Sequence, residues 1–362
     1  MARYPRARSA CHKIRPVRHD PAASPPLDDE AFEWIANAPL ADAHADSLLW
    51  NRDLSKACTA GHADIPRLLE GGIRAQAFTI ATWGLPVIDG MGLLAHWCGW
   101  PRSARRSPRA RALWQIEQIH RAVERSAGQA SIVRTRADLD LCVSQNRLGA
   151  ILGIEGAQCL EGDLNSLREL HALGVRFLGP AHLIPNEFAS CSYWIYKDRG
   201  ISGLGRELLA EMSQIGMGLD VAHASPRALD EMVTSPVNAT FCSHTGVRAV
   251  TDLWRNLRDE QLRSLARKGG VAAVILAREY LGGAGIERPA AHVRHAVETV
   301  GAEYVAIGSD FDGFVRLPRE MRDARDFRLL APALRRAGLG REAVRAVLGG
   351  NLLRFWRRML PQ

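Results

Sequence analysis

The stretch Asp42-Ala43-His44-Ala45-Asp46 closes a short apolar run, and an imidazole two residues before a carboxylate is a candidate pair of metal donors. Five further strand-like runs also end in His, Glu or Asp, at Glu155, His182, His223, His244 and Asp310. Imidazoles and carboxylates without thiols suit Zn²⁺, and also Mn²⁺ or Co²⁺. The candidates His44, Asp46, Glu155, His182, His223, His244 and Asp310 exceed what one tetrahedral ion uses. They read as a two-metal site in which one carboxylate bridges ions about 3.5–4 Å apart. Such a pair lowers the pKa of a shared water toward neutrality and polarises a carbonyl under attack, so the chemistry is hydrolytic.

Taken singly, each residue has a plainer reading. A lone strand-end His is usually a hydrogen-bonded structural group, Asp46 could cap a helix beginning at Ser47, and Glu155 in Gly153-Ile154-Glu155-Gly156 could be a turn residue. The repetition at strand ends is what favours metal. Donors this far apart in sequence need a scaffold that gathers strand ends, and the chain supplies one. Short apolar runs alternate with helical patterns from Asp28 onward, the mark of repeated βα units and a parallel sheet. The runs are Ala41–His44, Ile73–Ala81, Leu148–Glu155, Val175–His182, Met217–His223, Ala239–His244, Gly270–Leu276 and Tyr304–Asp310. Eight parallel strands close a (β/α)₈ TIM barrel, whose chemistry sits at the C-terminal strand ends.

Helices are expected over Asn165–Leu173, Leu204–Ile215, Pro226–Val233, Asp259–Arg267 and Ala290–Val300. Ser225-Pro226 supplies an N-cap followed by proline at the first helical position. Residues 1–27 are rich in Arg, Pro and Ser and read as a flexible basic tail, leaving 28–362 as one catalytic barrel. The segment 83–111, with Trp97, Trp100 and an Arg run, reads as a long irregular insertion overhanging the catalytic face.

Composition narrows the classes. With 47% apolar and 24% charged residues the chain supports a sizeable core, and no apolar run approaches the ~20 residues of a membrane span. The net charge of +8 is local. Residues 1–20 hold six Arg/Lys against one acid and residues 102–111 hold five Arg and no acid, so the remainder is near neutral. These patches read as a solvated tail and loop, with no nucleic-acid or membrane partner expected. Seven cysteines without a C-x-x-C pair suggest reduced thiols in a cytoplasmic protein.

The chain resembles the membrane (renal) dipeptidase family of zinc metallopeptidases within the amidohydrolase superfamily, from about Ala41 to Phe355. The motifs are Asp42-x-His44-x-Asp46, Gly153-Ile154-Glu155-Gly156, His182 followed by Asn186, and Gly205-Arg206-Glu207-Leu208 leading to Asp220-x-x-His223. They continue as Ser243-His244, Arg255-Asn256, Gly308-Ser309-Asp310-Phe311-Asp312-Gly313 and Gly350-Asn351-Leu352-Leu353-Arg354.

The resemblance implies that His44, Asp46 and Asp310 hold one zinc, that His223 and His244 hold the other, and that Glu155 bridges them. A metal-bridging hydroxide would attack the amide of a small dipeptide-like substrate, including one with a D-residue at its C-terminal position. By similarity Asp310 would carry the proton to the leaving amine and His182 would stabilise the oxyanion. Arg255 and Tyr280 resemble the residues that receive the substrate C-terminal carboxylate. Asp312 would lie behind the ligands. Family members are often dimers, so a homodimer is the expectation.

Two departures stand out. The family's Glu-Gly-Gly is Glu155-Gly156-Ala157 here, and the signal peptide and lipid-anchor tail of mammalian members are not read in this sequence. The rival enzymatic reading is hydrolysis of N-acyl amino acids, lactams or lactones on the same metals. The rival outside enzymology is a silent barrel used for binding, against which the intact donor set argues.

Overall fold

A computed structural model of the chain describes residues 30–82 and 90–362. The expected basic tail (1–27) and the first part of the expected insertion (83–89) lie outside the described residues. Among the described residues nine strands form one parallel sheet: β1 (Leu40–Ala45), β2 (Ile73–Ala81), β3 (Ala130–Ile132), β4 (Leu148–Glu155), β5 (Val175–Gly179), β6 (Gly218–Asp220), β7 (Thr240–Thr245), β8 (Ala272–Val274) and β9 (Val305–Ile307). Eight follow one another around a barrel in the order β1-β2-β4-β5-β6-β7-β8-β9, while β3 pairs with β4 outside that path. The seam closes between the segments that follow β1 and β9. The Asp46 N–H donates to Phe311 O at 2.8 Å and the Asp310 N–H to His44 O at 3.1 Å. The last bonds of the barrel are therefore made by candidate donors themselves.

Helices fall on the outside at Asn165–Ala172, Gly203–Gln214, Pro226–Val233, Asp259–Arg267 and Glu287–Val300, close to the expected spans. The Ser225 hydroxyl accepts from the Ala228 N–H and starts the third of these, as its Ser-Pro signature implies. Because helices cover the sheet and side chains fill the barrel, β1, β4, β5 and β7 are buried along their whole length. The interior is alternately small and large: Ala41, Ala43, Ala75, Ala77, Ala273 and Ala306 leave room for Phe177 and Phe241, whose rings meet edge-on at 5.1 Å. The helix Asn351–Met359 closes the end opposite the strand C-termini. Phe355 packs on Phe241 at 5.0 Å, fully buried Trp356 joins the same cluster, and Asn351 donates to the carbonyls of Ala302 and Val305 at the start of β9.

Three expectations change. The runs through His182, His223 and Asp310 stop being strand at Gly179, Asp220 and Ile307, so those residues stand on the loops just beyond. The extra strand β3 carries only Ala130–Ile132, too short to stand out as an apolar run. The insertion is not irregular where it is described: Gly90–Trp97 is helical, Arg102–Arg105 forms a 3₁₀ turn and Pro108–Arg125 is a long helix. It has a small core of its own, in which Trp100 and Trp114 lie 4.1 Å apart and Trp100 Nε1 donates to Leu49 O beside the loop after β1.

Among the described cysteines Cys98, Cys142, Cys159, Cys191 and Cys242 are free, and burial pushes Cys159 and Cys242 up to about 12, which leaves them inert. Cys58 is disulfide-bonded, against the expectation of reduced thiols throughout. Spacing without a C-x-x-C pair carried no sign of it. No helix among the described residues is long and apolar enough to cross a membrane.

Candidate metal centre

All seven donors meet at the C-terminal mouth of the barrel. His44 Nε2 lies 3.7 Å from Asp46 Oδ1, 3.6 Å from Glu155 Oε1 and 3.9 Å from Asp310 Oδ1. Glu155 also faces the other side: its Oε1 is 2.9 Å from His223 Nε2 and 3.5 Å from His244 Nε2, and its Oε2 is 3.3 Å from His182 Nε2. The two nitrogens His223 Nε2 and His244 Nε2 are 2.9 Å apart. Three donor groups, His44/Glu155/His244, Glu155/His182/His223 and His44/Asp46/Asp310, each fit within 4.8 Å.

Local backbone devices aim these side chains. His44 falls in a register shift of β1 against β2, between Asp42 and Ala45, and His244 falls in one of β7 against β8, between Cys242 and Thr245. Such irregularities turn a side chain that regular pleating would point elsewhere. His223 and Asp310 are left-handed, both at φ 61°, at a cost of order 1–3 kcal/mol each that their surroundings must hold in place. Two glycines are required by approach. Gly156 has φ 85° and a Cβ there would press on His182, while a Cβ at Gly313 would collide with Asp310 Oδ1.

A second layer fixes the donors. Asp46 precedes the 3₁₀ turn Ser47–Leu49 without capping it; its Oδ1 accepts instead from the Thr79 hydroxyl at 2.7 Å, which is also 3.2 Å from His44 Nε2. The Asp42 carboxylate accepts from the Ser309 N–H at 2.7 Å, the Ser309 hydroxyl at 2.6 Å and Gln76 Nε2 at 2.8 Å, tying β1 to the end of β9. Asp312 accepts from Ser47 Oγ at 2.6 Å, Arg52 Nη2 at 2.5 Å and the His62 N–H at 2.6 Å, so it spans the loop after β1 and the loop after β9. Asp220 Oδ1 receives the N–H groups of Ala222 and Ser243, joining β6 to β7. Thr79 and Gln76 had no place in the sequence reading, and Ser243 entered it only as the residue before His244. Gln76 and Thr79, polar residues inside the apolar run Ile73–Ala81, were the available signal.

Burial and charge shift the carboxylates and most of the imidazoles of the site in opposite directions. Desolvation, with Asp46 beside it, raises Glu155 well above the ordinary carboxylate range, and desolvation outweighs His44 to raise Asp310 likewise. Burial holds His223 and His244 well below the usual imidazole value, helped by the Arg255 charge, and brings His182 down to about 3. His44 is the exception: desolvation would lower it, but Glu155, Asp46 and Asp310 together raise it to about 10. Glu155 Oε2 makes no hydrogen bond. Neutral imidazoles and crowded carboxylates aimed at one point, one of them with an orphaned oxygen, are the donor chemistry that divalent cations satisfy. The residues fit a metal centre.

Arg255 is buried at the edge of this centre, with Nη2 donating to His244 O at 2.9 Å. Tyr280 lies on the short helix Arg278–Leu281 after β8 and is half-buried; desolvation raises its phenol, and Arg255 and Asp310 are among the charges it feels. Of the other histidines, His62 accepts from the Asp312 N–H through Nδ1 and His292 Nδ1 accepts from the Val247 N–H.

A closed parallel barrel with this donor set at its mouth is that of a metal-dependent hydrolase. The sequence profile of the family Membrane dipeptidase (Peptidase family M19) matches residues 29–360, and the chain belongs to that family. It is 29% identical over 256 residues to an uncharacterized dipeptidase of Schizosaccharomyces pombe, covering 68% of this chain and 62% of that protein. It is 28% identical over 354 residues to Dipeptidase 3 of Rattus norvegicus, covering 93% and 68%. Among solved structures, a metallopeptidase of Rhodobacter sphaeroides liganded with a phosphinate mimic of the dipeptide L-Ala-D-Ala superposes with a TM-score of 0.79 at 25% identity, covering 89% of this chain and 99% of that one. The probable dipeptidase PvdM of Pseudomonas aeruginosa shares the fold with a TM-score of 0.79 at 19% identity, covering 91% and 97%.

Proposed function

We propose that this chain is a dipeptidase working with two divalent cations, zinc by preference, on small substrates with a free C-terminal carboxylate, including those with a D-residue there. The observation that carries this reading is the convergence of seven donors, four of them imidazoles facing Glu155, with a buried guanidinium at their edge. His44, Asp46 and Asp310 would hold one cation, His223 and His244 the other, and Glu155 would serve both. Bound there, the cations supply a water of lowered pKa and polarise the scissile carbonyl.

The remaining steps belong to the chain's own residues. Arg255 presents a planar fork to the substrate carboxylate, and Tyr280 supports it. His182, neutral throughout the physiological range, stands across Glu155 where its Nε2 can stabilise the oxyanion of the tetrahedral intermediate. Asp310 receives a proton on its carboxylate and hands it to the leaving amine. The resemblance to a protein seen with an L-Ala-D-Ala mimic supports the stereochemical part of the proposal.

The test is a turnover screen of L,L-, L,D- and D,D-dipeptides beside N-acyl amino acids, lactams and lactones, with metal analysis of the same protein. Dipeptides are expected to dominate. Arg255→Ala should lower kcat/KM about 10–100-fold for substrates with a free carboxylate, the worth of one hydrogen bond to a charged group, and leave amidated ones unchanged. Preferred turnover of lactones, or equal effects on amidated substrates, would overturn the reading.

A further inference from the structure

Ser243 stands between the two donor groups. Its Oγ is 3.1 Å from His44 Nδ1 and 2.8 Å from His244 Nδ1, and the residue is fully buried. The same two rings turn their other nitrogens to the centre, 3.6 and 3.5 Å from Glu155 Oε1. A neutral imidazole that ligates through Nε2 carries its proton on Nδ1, and that N–H needs an acceptor. A serine oxygen has two lone pairs and can accept from both rings at once. Were the hydroxyl to donate to either Nδ1, that ring would be held with its proton on Nε2 and could not ligate.

We propose that Ser243 is a positioning residue shared by both cation sites: its Oγ accepts from His44 Nδ1 and His244 Nδ1, fixes both rings as Nε2 donors, and thereby couples the affinities of the two sites. The inference rests on the two-cation reading above. Three further features favour it. Ser243 is itself pinned, its N–H donating to Asp220 Oδ1 at 2.9 Å. It sits inside the register shift of β7, which is what lets consecutive residues 243 and 244 both face the site. The two rings lie 3.8 Å apart, so one cannot turn without disturbing the other. Thr79 offers the contrast, because its hydroxyl touches His44 and Asp46 on one side of the centre only.

The test strips the full chain of metal and titrates it with Zn²⁺ against a chromophoric chelator. The wild type should show two binding steps. Ser243→Ala should weaken both about 10–100-fold, the usual cost of removing the partner of a ligating histidine, while Ser243→Thr, which keeps the hydroxyl, should stay near the wild type. Thr79→Val should weaken one step alone. An unchanged Ser243→Ala, a change in only one step, or a Thr variant as weak as the Ala variant would overturn the proposal. Should the variants not fold, ¹⁵N-histidine NMR of the zinc-loaded wild type decides: both rings should carry the proton on Nδ1, and a proton on Nε2 of either would refute it. A wild type that binds fewer than two ions at saturation would instead sink the two-cation reading on which the proposal stands.

Discussion

The two sides of the centre are built differently. On the side of β1 and β9 the candidate donors are mostly carboxylates, Asp46 and Asp310 around one imidazole, and Glu155 together with these two raises His44 to about 10 despite its burial. On the side of β6 and β7 the donors are imidazoles, His223 and His244, and burial together with the Arg255 charge keeps them neutral. Glu155 belongs to both sides. The contrast teaches that the first side needs positive charge to relieve crowded acids, whereas the second offers lone pairs that carry no charge of their own.

Buried carboxylates stand behind both sides. The acid side is tied by side-chain carboxylates, Asp42 to Ser309 and Gln76, and Asp312 to Ser47, Arg52 and His62. The imidazole side hangs on Asp220 and Ser243.

Substitutions can break this comparison, and the shared residue should have the largest effect. Glu155→Gln should abolish turnover and strip metal from both sides together, read by metal analysis; loss from one side alone would show that Glu155 is not common to them. His182→Ala should lower kcat by about 10²–10³ while metal content stays intact, since an oxyanion donor acts on the intermediate and not on the cations. Metal loss in that variant would instead place His182 among the ligands. Asp312→Asn leaves the buried Arg52 uncompensated and should cost about 3–5 kcal/mol in thermal or denaturant unfolding.

The sign of its pH dependence follows from Asp312 itself. Burial would raise its carboxyl, but Arg52, His62 and the Ser47 hydroxyl hold it below the ordinary value in the folded state. Its contribution is therefore present above the unfolded value of about 4 and lost as pH falls through the lower folded value. The wild type should lose stability over that acid range, and Asp312→Asn should lose less, because the group is already gone. Thr79→Val should have the smallest effect, roughly tenfold on the acid-side cation and none on the other.

Much of this centre was legible in the sequence because of where a barrel puts its chemistry. His44, Asp46, Glu155 and His244 end or directly follow apolar runs that are strands, and the repeated ending marked them before any geometry was available. His182, His223 and Asp310 were found by the same rule although the strands stop earlier, because the loops that carry them leave the barrel at its mouth. The left-handed backbone at His223 and Asp310 left no trace in residue type, since neither is glycine. Thr79 stayed hidden for another reason, and Ser243 was noticed only beside His244: a hydroxyl residue inside a strand looks like any residue that tolerates a pleated sheet. The helices of the insertion were missed because Arg and Trp placed without a clear period hide a small core built on Trp100 and Trp114.

Two cations meeting at Glu155 are the core of the proposed mechanism. The most direct measurement is anomalous diffraction from crystals of the zinc-loaded full chain, collected on both sides of the zinc absorption edge. Two anomalous peaks are expected, one bounded by His44, Asp46 and Asp310, the other by His223 and His244, with the Glu155 carboxylate touching both. A single peak, or a second one away from Glu155, would contradict it.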